Sequence, residues 1–278
     1  MPVREAGRPS LDPEGDISLP CGKCTECIKK RAVEWATRAK HEISLHKENC
    51  FITLTYDDGS RPSDIYKRDF QKFIKRLRKQ TNSKPLRYMV SYEYGSKNSN
   101  FHMHAILFGH NFNNQKKIKT INGNPIFTSP ELEKLWPYGY HSIGEANEKT
   151  AYYIASYALK LNTKEEICEV SGEIRELKDQ MNVSKNPGIG LEYFIRNSHQ
   201  IVESGEIPRY YMKKLEQPEW CRAKYPHLSK YIDKFDMLLD IAERKKFEQF
   251  HQRSDREIYA QYIIDNQKLN NRSEEHTS

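Results

Sequence analysis

The sequence predicts an α+β fold: a central antiparallel β-sheet flanked by helices, with a mainly helical C-terminal region. Two runs of strand composition, Arg87 to Tyr94 and Phe101 to Phe108, enclose the turn-forming stretch Gly95-Ser96-Lys97-Asn98-Ser99-Asn100, which makes them an antiparallel hairpin. A further strand pattern near 50–56 is separated from that hairpin by a helical pattern near 65–80. Strands that arrive as hairpins with helices between them argue for α+β. From about Asn162 the chain is charged and helical in pattern, most clearly from Tyr231 to Gln267, where Ile232, Phe235, Leu238, Leu239 and Ala242 form an apolar stripe.

In chain order, residues 1–19 are rich in Pro, Gly, Arg and acidic side chains without periodicity, and read as an extended lead-in with no fold of its own. The core domain spans 20–161. It comprises a cysteine cluster, a helix, the strand near 50–56, the helix near 65–80, the hairpin of 87–108 and a polar loop to about 128. A short helix from Pro130 to Trp136, a strand from Gly139 to Gly144 and a tyrosine-rich helix complete it. Residues 162–271 make the helical region, and 272–278 look like translated sequencing-adapter read-through, so His276 is excluded from any site. The 278 residues suffice for one substantial core plus an appendage, and a mean hydropathy of −0.87 describes a polar, soluble protein. No run is apolar enough to span a bilayer and no signal-peptide pattern opens the chain, so the six cysteines are read as cytosolic and reduced. A net charge of +7 suits a polyanionic partner, DNA and RNA alike.

The chemistry centres on Phe101-His102-Met103-His104-Ala105-Ile106-Leu107-Phe108. Side chains alternate faces along a strand, so His102 and His104 project together while Phe101, Met103, Ala105 and Leu107 face the other way. Two neutral imidazoles side by side make half a metal site; the same spacing also suits two histidines hydrogen-bonded separately near a strand end. Across the hairpin, Glu93 lies near His102, and in the right register would add a carboxylate oxygen suited to Mn²⁺ or Mg²⁺. In another register it is an exposed carboxylate paired with a lysine. About fifty residues on, Tyr153 and Tyr157 stand one helical turn apart, and Lys160 returns to the same face while Tyr152 points elsewhere. Aromatic pairs at that spacing are commonly core. Beside a divalent cation, however, a phenol becomes a competent nucleophile toward a phosphodiester, and a lysine can hold the phosphate or favour the phenolate.

Taken in order, Phe51-Ile-Thr-Leu-Thr55, His102-Met-His104 and Tyr153-x-x-x-Tyr157-x-x-Lys160 resemble the three motifs of the HUH endonucleases, the rolling-circle replication initiators. More narrowly, Pro20-Cys-Gly-Lys-Cys-x-x-Cys27, the Thr-Leu-Thr-Tyr-Asp strand, the Glu-Tyr-Gly segment and Pro187-Gly-Ile-Gly190 resemble the initiators of the gokushovirus-like microvirus phages, from about Pro20 to about Tyr211. The usual Arg-Pro before the first histidine is Asn100-Phe101 here, and the frequent Lys-Lys after the second tyrosine is Lys160-Leu161. The resemblance implies an enzyme that nicks single-stranded or melted origin DNA, with His102, His104 and Glu93 as metal ligands and Tyr153, Tyr157 and Lys160 as catalytic residues. It implies Mg²⁺ or Mn²⁺ as cofactor, host DNA polymerase and helicase as partners, and the cytoplasm of the bacterial host as location. A transposase- or relaxase-like HUH nuclease and a non-catalytic nucleic-acid-binding module are the alternatives.

Three further features carry expectations. Cys21-x-x-Cys24-x-x-Cys27 can supply three thiolates to a structural Zn²⁺, with His41, His46 or Cys50 as fourth ligand, or can be plain reduced thiols. The helix Lys67 to Lys79 buries Phe70, Phe73, Ile74 and Leu77 and presents Lys72, Lys75, Arg76, Arg78 and Lys79 as a platform for DNA phosphates or as a solvated face. Pro187-Gly-Ile-Gly190 reads as a tight turn before a helix in preference to a phosphate loop.

Overall fold

The computed structural model describes residues 10–11, 18–19, 24–57, 66–81, 86–94, 101–159, 163–167, 174–178 and 180–252. They fall in two compact units, one of residues 35–193 and one of residues up to 34 together with those from 194. In chain order the elements are β1 (Ser10–Leu11), β2 (Ser18–Leu19), α1 (Thr25–Ile43), β3 (Asn49–Thr55), α2 (Tyr66–Gln80), β4 (Arg87–Tyr94), β5 (Phe101–Phe108), β6 (Lys116–Ile121) and β7 (Asn124–Thr128). There follow α3 (Pro130–Leu135), β8 (His141–Gly144), α4 (Glu148–Leu159), β9 (Thr163–Ile167), β10 (Ile174–Lys178), β11 (Gln180–Val183) and the C-terminal helices. These helices are α5 (Leu191–Arg196), α6 (Ser198–Ser204), α7 (Arg209–Leu215), α8 (Pro218–Lys224), α9 (Ser229–Ile232) and α10 (Phe235–Gln252).

The larger unit is built on a seven-stranded sheet in the order β11-β4-β5-β3-β8-β7-β6, with every neighbouring pair antiparallel. This is the expected α+β architecture. Strand β3 alternates half-buried and buried residues along its length, so Cys50, Ile52 and Leu54 enter the core while Phe51, Thr53 and Thr55 take the other face. The core face carries Val90, Tyr92, Met103, Ala105 and Leu107 from β4 and β5 and is covered by Phe70, Phe73, Ile74 and Leu77 of α2 with Trp136 after α3. Fully burying side chains such as Phe73 and Leu77 contributes about 1.5–3 kcal/mol each. Trp136 adds a polar anchor, its Nε1–H donating to Thr55 O at 3.2 Å. Against the opposite face, α4 packs over β4, β5 and β11 and buries Ala151, Ile154 and Ala155.

Several expectations change. The polar stretch to 128 is no loop: β6 and β7 pair, with Asn122 and Gly123 both at positive φ (49° and 80°) in the two-residue turn between them. The helical region does not begin at 162, since β9 pairs with β10 and β11 forms the edge of the main sheet against β4. In the lead-in, Ser10–Leu11 and Ser18–Leu19 pair as short strands. The stripe expected from Tyr231 to Gln267 is divided, α9 ending at Ile232 and α10 starting at Phe235, and its part from 253 to 267 lies outside the described residues. Ile232, Phe235, Leu238 and Ala242 are nonetheless buried, as the stripe requires, and within that unit Phe194 stacks on Tyr211 with ring centroids 4.4 Å apart. The suspected non-native tail, 272–278, lies outside the described residues.

Candidate active site

The register settles what the sequence left open about Glu93: it pairs with His102 across the β4–β5 ladder, and Ser91 pairs with His104. On the other side of β5, His102 pairs with Thr55 and His104 with Thr53. Because cross-strand partners share a face, Glu93, Ser91, both histidines and both threonines stand together on the sheet face away from α2.

Each imidazole is fixed by a threonine. Thr53 Oγ1 is 3.0 Å from His104 Nδ1, and Thr55 Oγ1 is 3.1 Å from His102 Nδ1. In the tautomer with Nδ1–H donating to threonine, the Nε2 lone pair of each ring is left for another partner. Burial lowers the pKa of both rings, and His104, repelled also by a charged His102, is pushed down to about 4. Both are therefore neutral at neutral pH, as a metal ligand must be. His104 Nε2 faces Glu93 Oε2 at 3.7 Å, and Ser91 Oγ donates to Glu93 Oε1 at 2.7 Å, holding the buried carboxylate in place.

Tyr153 closes this group. Its hydroxyl is 3.4 Å from His104 Nε2 and its ring meets that imidazole edge-on, centroids 5.1 Å apart at 86°. Phe51 stacks on His104 at 5.7 Å and 7° and meets the Tyr153 ring edge-on at 6.4 Å, so the three rings pack against one another. Tyr152 is exposed on another side of α4, as the helical spacing requires. The side chain of Tyr157 and the whole of Lys160 lie outside the described residues.

Two imidazoles and one carboxylate are a donor set suited to a divalent ion. His102, His104 and Glu93 would be the residues to hold such an ion, His104 Nε2 standing 3.7 Å from Glu93 Oε2. Among the described residues no three His, Cys, Asp or Glu side chains are drawn into a group that could hold a metal as they stand.

The other expectations fare differently. The α2 platform lies on the opposite face of the sheet from the histidines, because its apolar stripe packs on the core side of β3, β4 and β5. Two of its cations also have structural tasks, Arg76 donating to Leu135 O from Nε (3.2 Å) and Nη2 (2.7 Å), and Arg78 Nη2 to Leu86 O at 3.1 Å. Lys72 is bonded to Asp69, while Lys75 and Lys79 are exposed. Of the cysteine cluster, Cys24 and Cys27 are half-buried at the start of α1 and Cys21 lies outside the described residues. Of the candidate fourth ligands, His41 stacks on Tyr193, His46 bonds Glu42, and Cys50 is buried in the core with its thiol pKa raised by that burial. At Gly190 the backbone N–H donates to Glu42 Oε2 at 2.7 Å, which leaves that segment a turn into α5, the simpler of the two expectations. Sequence reasoning named Thr53 and Thr55 only within a motif; their alternation with Leu54 was the available signal that they share the histidine face.

The antiparallel sheet thus carries paired histidines and a carboxylate on one face, with a tyrosine of α4 against them. Residues 49–162 match the family model described as replication-associated protein ORF2/G2P. The chain is 31% identical over 254 aligned residues to replication-associated protein VP4 of Bdellovibrio phage phiMH2K, covering 81% of this chain and 79% of the relative. It is 30% identical over 281 aligned residues to replication-associated protein ORF2 of Spiroplasma virus 4, covering 91% and 83%. Replication-associated protein ORF4 of Chlamydia phage 1 is 26% identical over 272 residues, covering 85% and 67%. The chain belongs to this family of phage replication-associated proteins. No solved structure matches it. No helix among the described residues is long and apolar enough to cross a membrane.

Proposed function

We propose that this protein initiates rolling-circle replication of a small single-stranded DNA phage by nicking single-stranded or locally melted origin DNA through tyrosine attack. The observation that carries it is the Tyr153 hydroxyl poised 3.4 Å from His104 Nε2 on the face shared with His102 and Glu93. In this reading His102, His104 and Glu93 hold Mg²⁺ or Mn²⁺, whose chemistry when bound is to polarise the scissile phosphodiester. Thr53 and Thr55 orient the imidazoles, Ser91 orients the carboxylate, and Phe51 and His104 fix the tyrosine ring.

In the chemical step, Tyr153 Oη forms a bond to phosphorus as the P–O3′ bond breaks; the phenol loses its proton and the departing 3′ oxygen gains one. The products are a 5′-phosphotyrosine and a free 3′-OH for host polymerase and helicase to use, with the phosphodiester energy retained in the protein–DNA bond. Tyr157, one turn further along α4, serves as second nucleophile when the regenerated origin is cut and the displaced strand is closed. Lys160 follows at the spacing that lets it neutralise the phosphate.

The test is incubation with single-stranded phage origin DNA and Mn²⁺, then mass spectrometry of the DNA-linked peptide. The expected adduct is on Tyr153 or Tyr157, lost with EDTA and in the Tyr153→Phe/Tyr157→Phe variant. Adducts that persist in the double variant overturn the assignment, and dependence on a single tyrosine favours a transposase- or relaxase-like activity.

A further inference from the structure

Beside Tyr153 opens a groove of about 840 Å³ that shares His104 and Tyr153 with the candidate active site and extends beyond it. Its floor is Phe51, Thr53 and Thr55 of β3 with Ser142 and Gly144 of β8, and its outer wall is the β6–β7 hairpin. Gly144 lies in that floor, where a Cβ would make ordinary contacts with Phe51 Cδ1 at 3.6 Å and Ile126 Cδ1 at 3.7 Å.

The wall is unusual in composition. Strand β6 is exposed along its whole length, yet it carries Ile118 and Ile121, 53% and 46% exposed, among Lys116, Lys117 and Lys119. The register slips between Lys117 and Lys119, so Ile118 is an extra residue bulged from the ladder. Ile118, Lys119 and Ile121 all line the groove. At its far side Tyr140 is 74% exposed, the most exposed of the large apolar and aromatic side chains among the described residues, although its backbone is pinned by Thr55 N–H donating to Tyr140 O at 2.8 Å. Lys149 and Thr150 complete the rim next to Tyr153. Among the described residues no carboxylate lines the groove, and the nearest helix-start acid, Glu148, is paired with Lys40 at 2.8 Å.

An aromatic ring held out to solvent, exposed aliphatic side chains and two lysines in a lining without carboxylates form a surface for a polyanion whose bases are free to stack. In duplex DNA the base faces are hidden, so the ligand is a single strand. We propose that the β6–β7 hairpin and Tyr140 form a clamp for the single-stranded DNA flanking the scissile phosphate, with one base stacked on Tyr140 and phosphates met by Lys119 and Lys149. The clamp is a specificity element and no part of the bond chemistry; its ligand follows from the nicking proposal, but its own existence is read by binding alone.

The experiment measures binding of a fluorescent single-stranded oligonucleotide in EDTA, in the Tyr153→Phe/Tyr157→Phe background so that no strand is cut. Loss of one aromatic stack weakens single-strand binding about tenfold, so Tyr140→Ala shows that loss, Tyr140→Trp restores it, and duplex binding is unchanged. Scanning an abasic site along the oligonucleotide finds one position at which Tyr140→Ala has no further effect. Ile118→Ser/Ile121→Ser lowers affinity in the same sense, and folding of every variant is checked by circular dichroism. Tyr140→Ala binding within about twofold of its parent overturns the clamp. So does an equal loss for duplex, or for every abasic position alike. A binding series that behaves as expected, while the protein with both tyrosines intact forms no adduct in Mn²⁺, overturns the nicking proposal and leaves the clamp standing.

Discussion

Thr53→Val removes one hydroxyl while keeping the side chain's shape, which isolates the Thr53–His104 hydrogen bond of 3.0 Å. The His104 side chain is only 13% exposed, so water cannot fully replace the lost partner. The stability cost is that of one neutral hydrogen bond with a partly desolvated Nδ1–H left over, about 1–2 kcal/mol. Freed from its threonine, the imidazole loses its preferred tautomer and orientation, and removing such a supporting partner lowers metal affinity about 10- to 100-fold. The assay is calorimetric titration of Mn²⁺ into wild type, Thr53→Val and Thr53→Ser, with thermal unfolding of the metal-free proteins beside it. Thr53→Ser keeps the hydroxyl and is expected to bind as wild type does. If Thr53→Val melts earlier but takes up Mn²⁺ with undiminished affinity, His104 is a packed histidine and the ligand assignment fails.

Two more outcomes follow from the structure. Folded His104 binds its proton only near pH 4, whereas in the unfolded chain it does so near 6.5, so metal-free stability falls as pH drops through that window by up to roughly 3 kcal/mol. Urea unfolding in EDTA at pH 7 and 4.5 measures it; His41, shifted the same way, retains its own share, so His104→Gln flattens the profile in part, and an unchanged profile refutes the assignment. Gly139 has φ +146°, and a Cβ there would stand 2.3 Å from Asp57 N and 2.6 Å from Thr55 O. Gly139→Ala is therefore expected to cost about 3 kcal/mol or more in denaturant unfolding and to displace Tyr140; unchanged stability would show that the segment does not pack on β3 as described.

The strands that build the site were legible because their patterns are local. Alternation in Phe101–Phe108 put two histidines on one face, and the stripe of Phe70, Phe73, Ile74 and Leu77 gave α2 a buried side. The β6–β7 hairpin escaped notice because its strands are polar throughout and no buried face imposes alternation, although Asn122-Gly123 was a turn signal in plain sight. β11 was missed for a related reason: a four-residue edge strand is recognised by the neighbour it pairs with, Met89 to Tyr92, more than by its own composition. The break between α9 and α10 falls at Asp233-Lys234, two exposed residues that leave the apolar stripe intact.

By itself the sequence determined the donor types and their periodicity: two imidazoles two residues apart, a carboxylate one strand away, and phenols one helical turn apart. Periodicity assigns side chains to faces within an element, since it depends only on backbone geometry. Tertiary structure decided which faces meet. Register brought Glu93 opposite His102, packing of α4 brought Tyr153 to His104, and the basic helix α2 packed on the far side of the sheet from the histidines. Those choices depend on contacts between residues distant in the chain, where burial of one face against another selects among arrangements that local patterns leave equal.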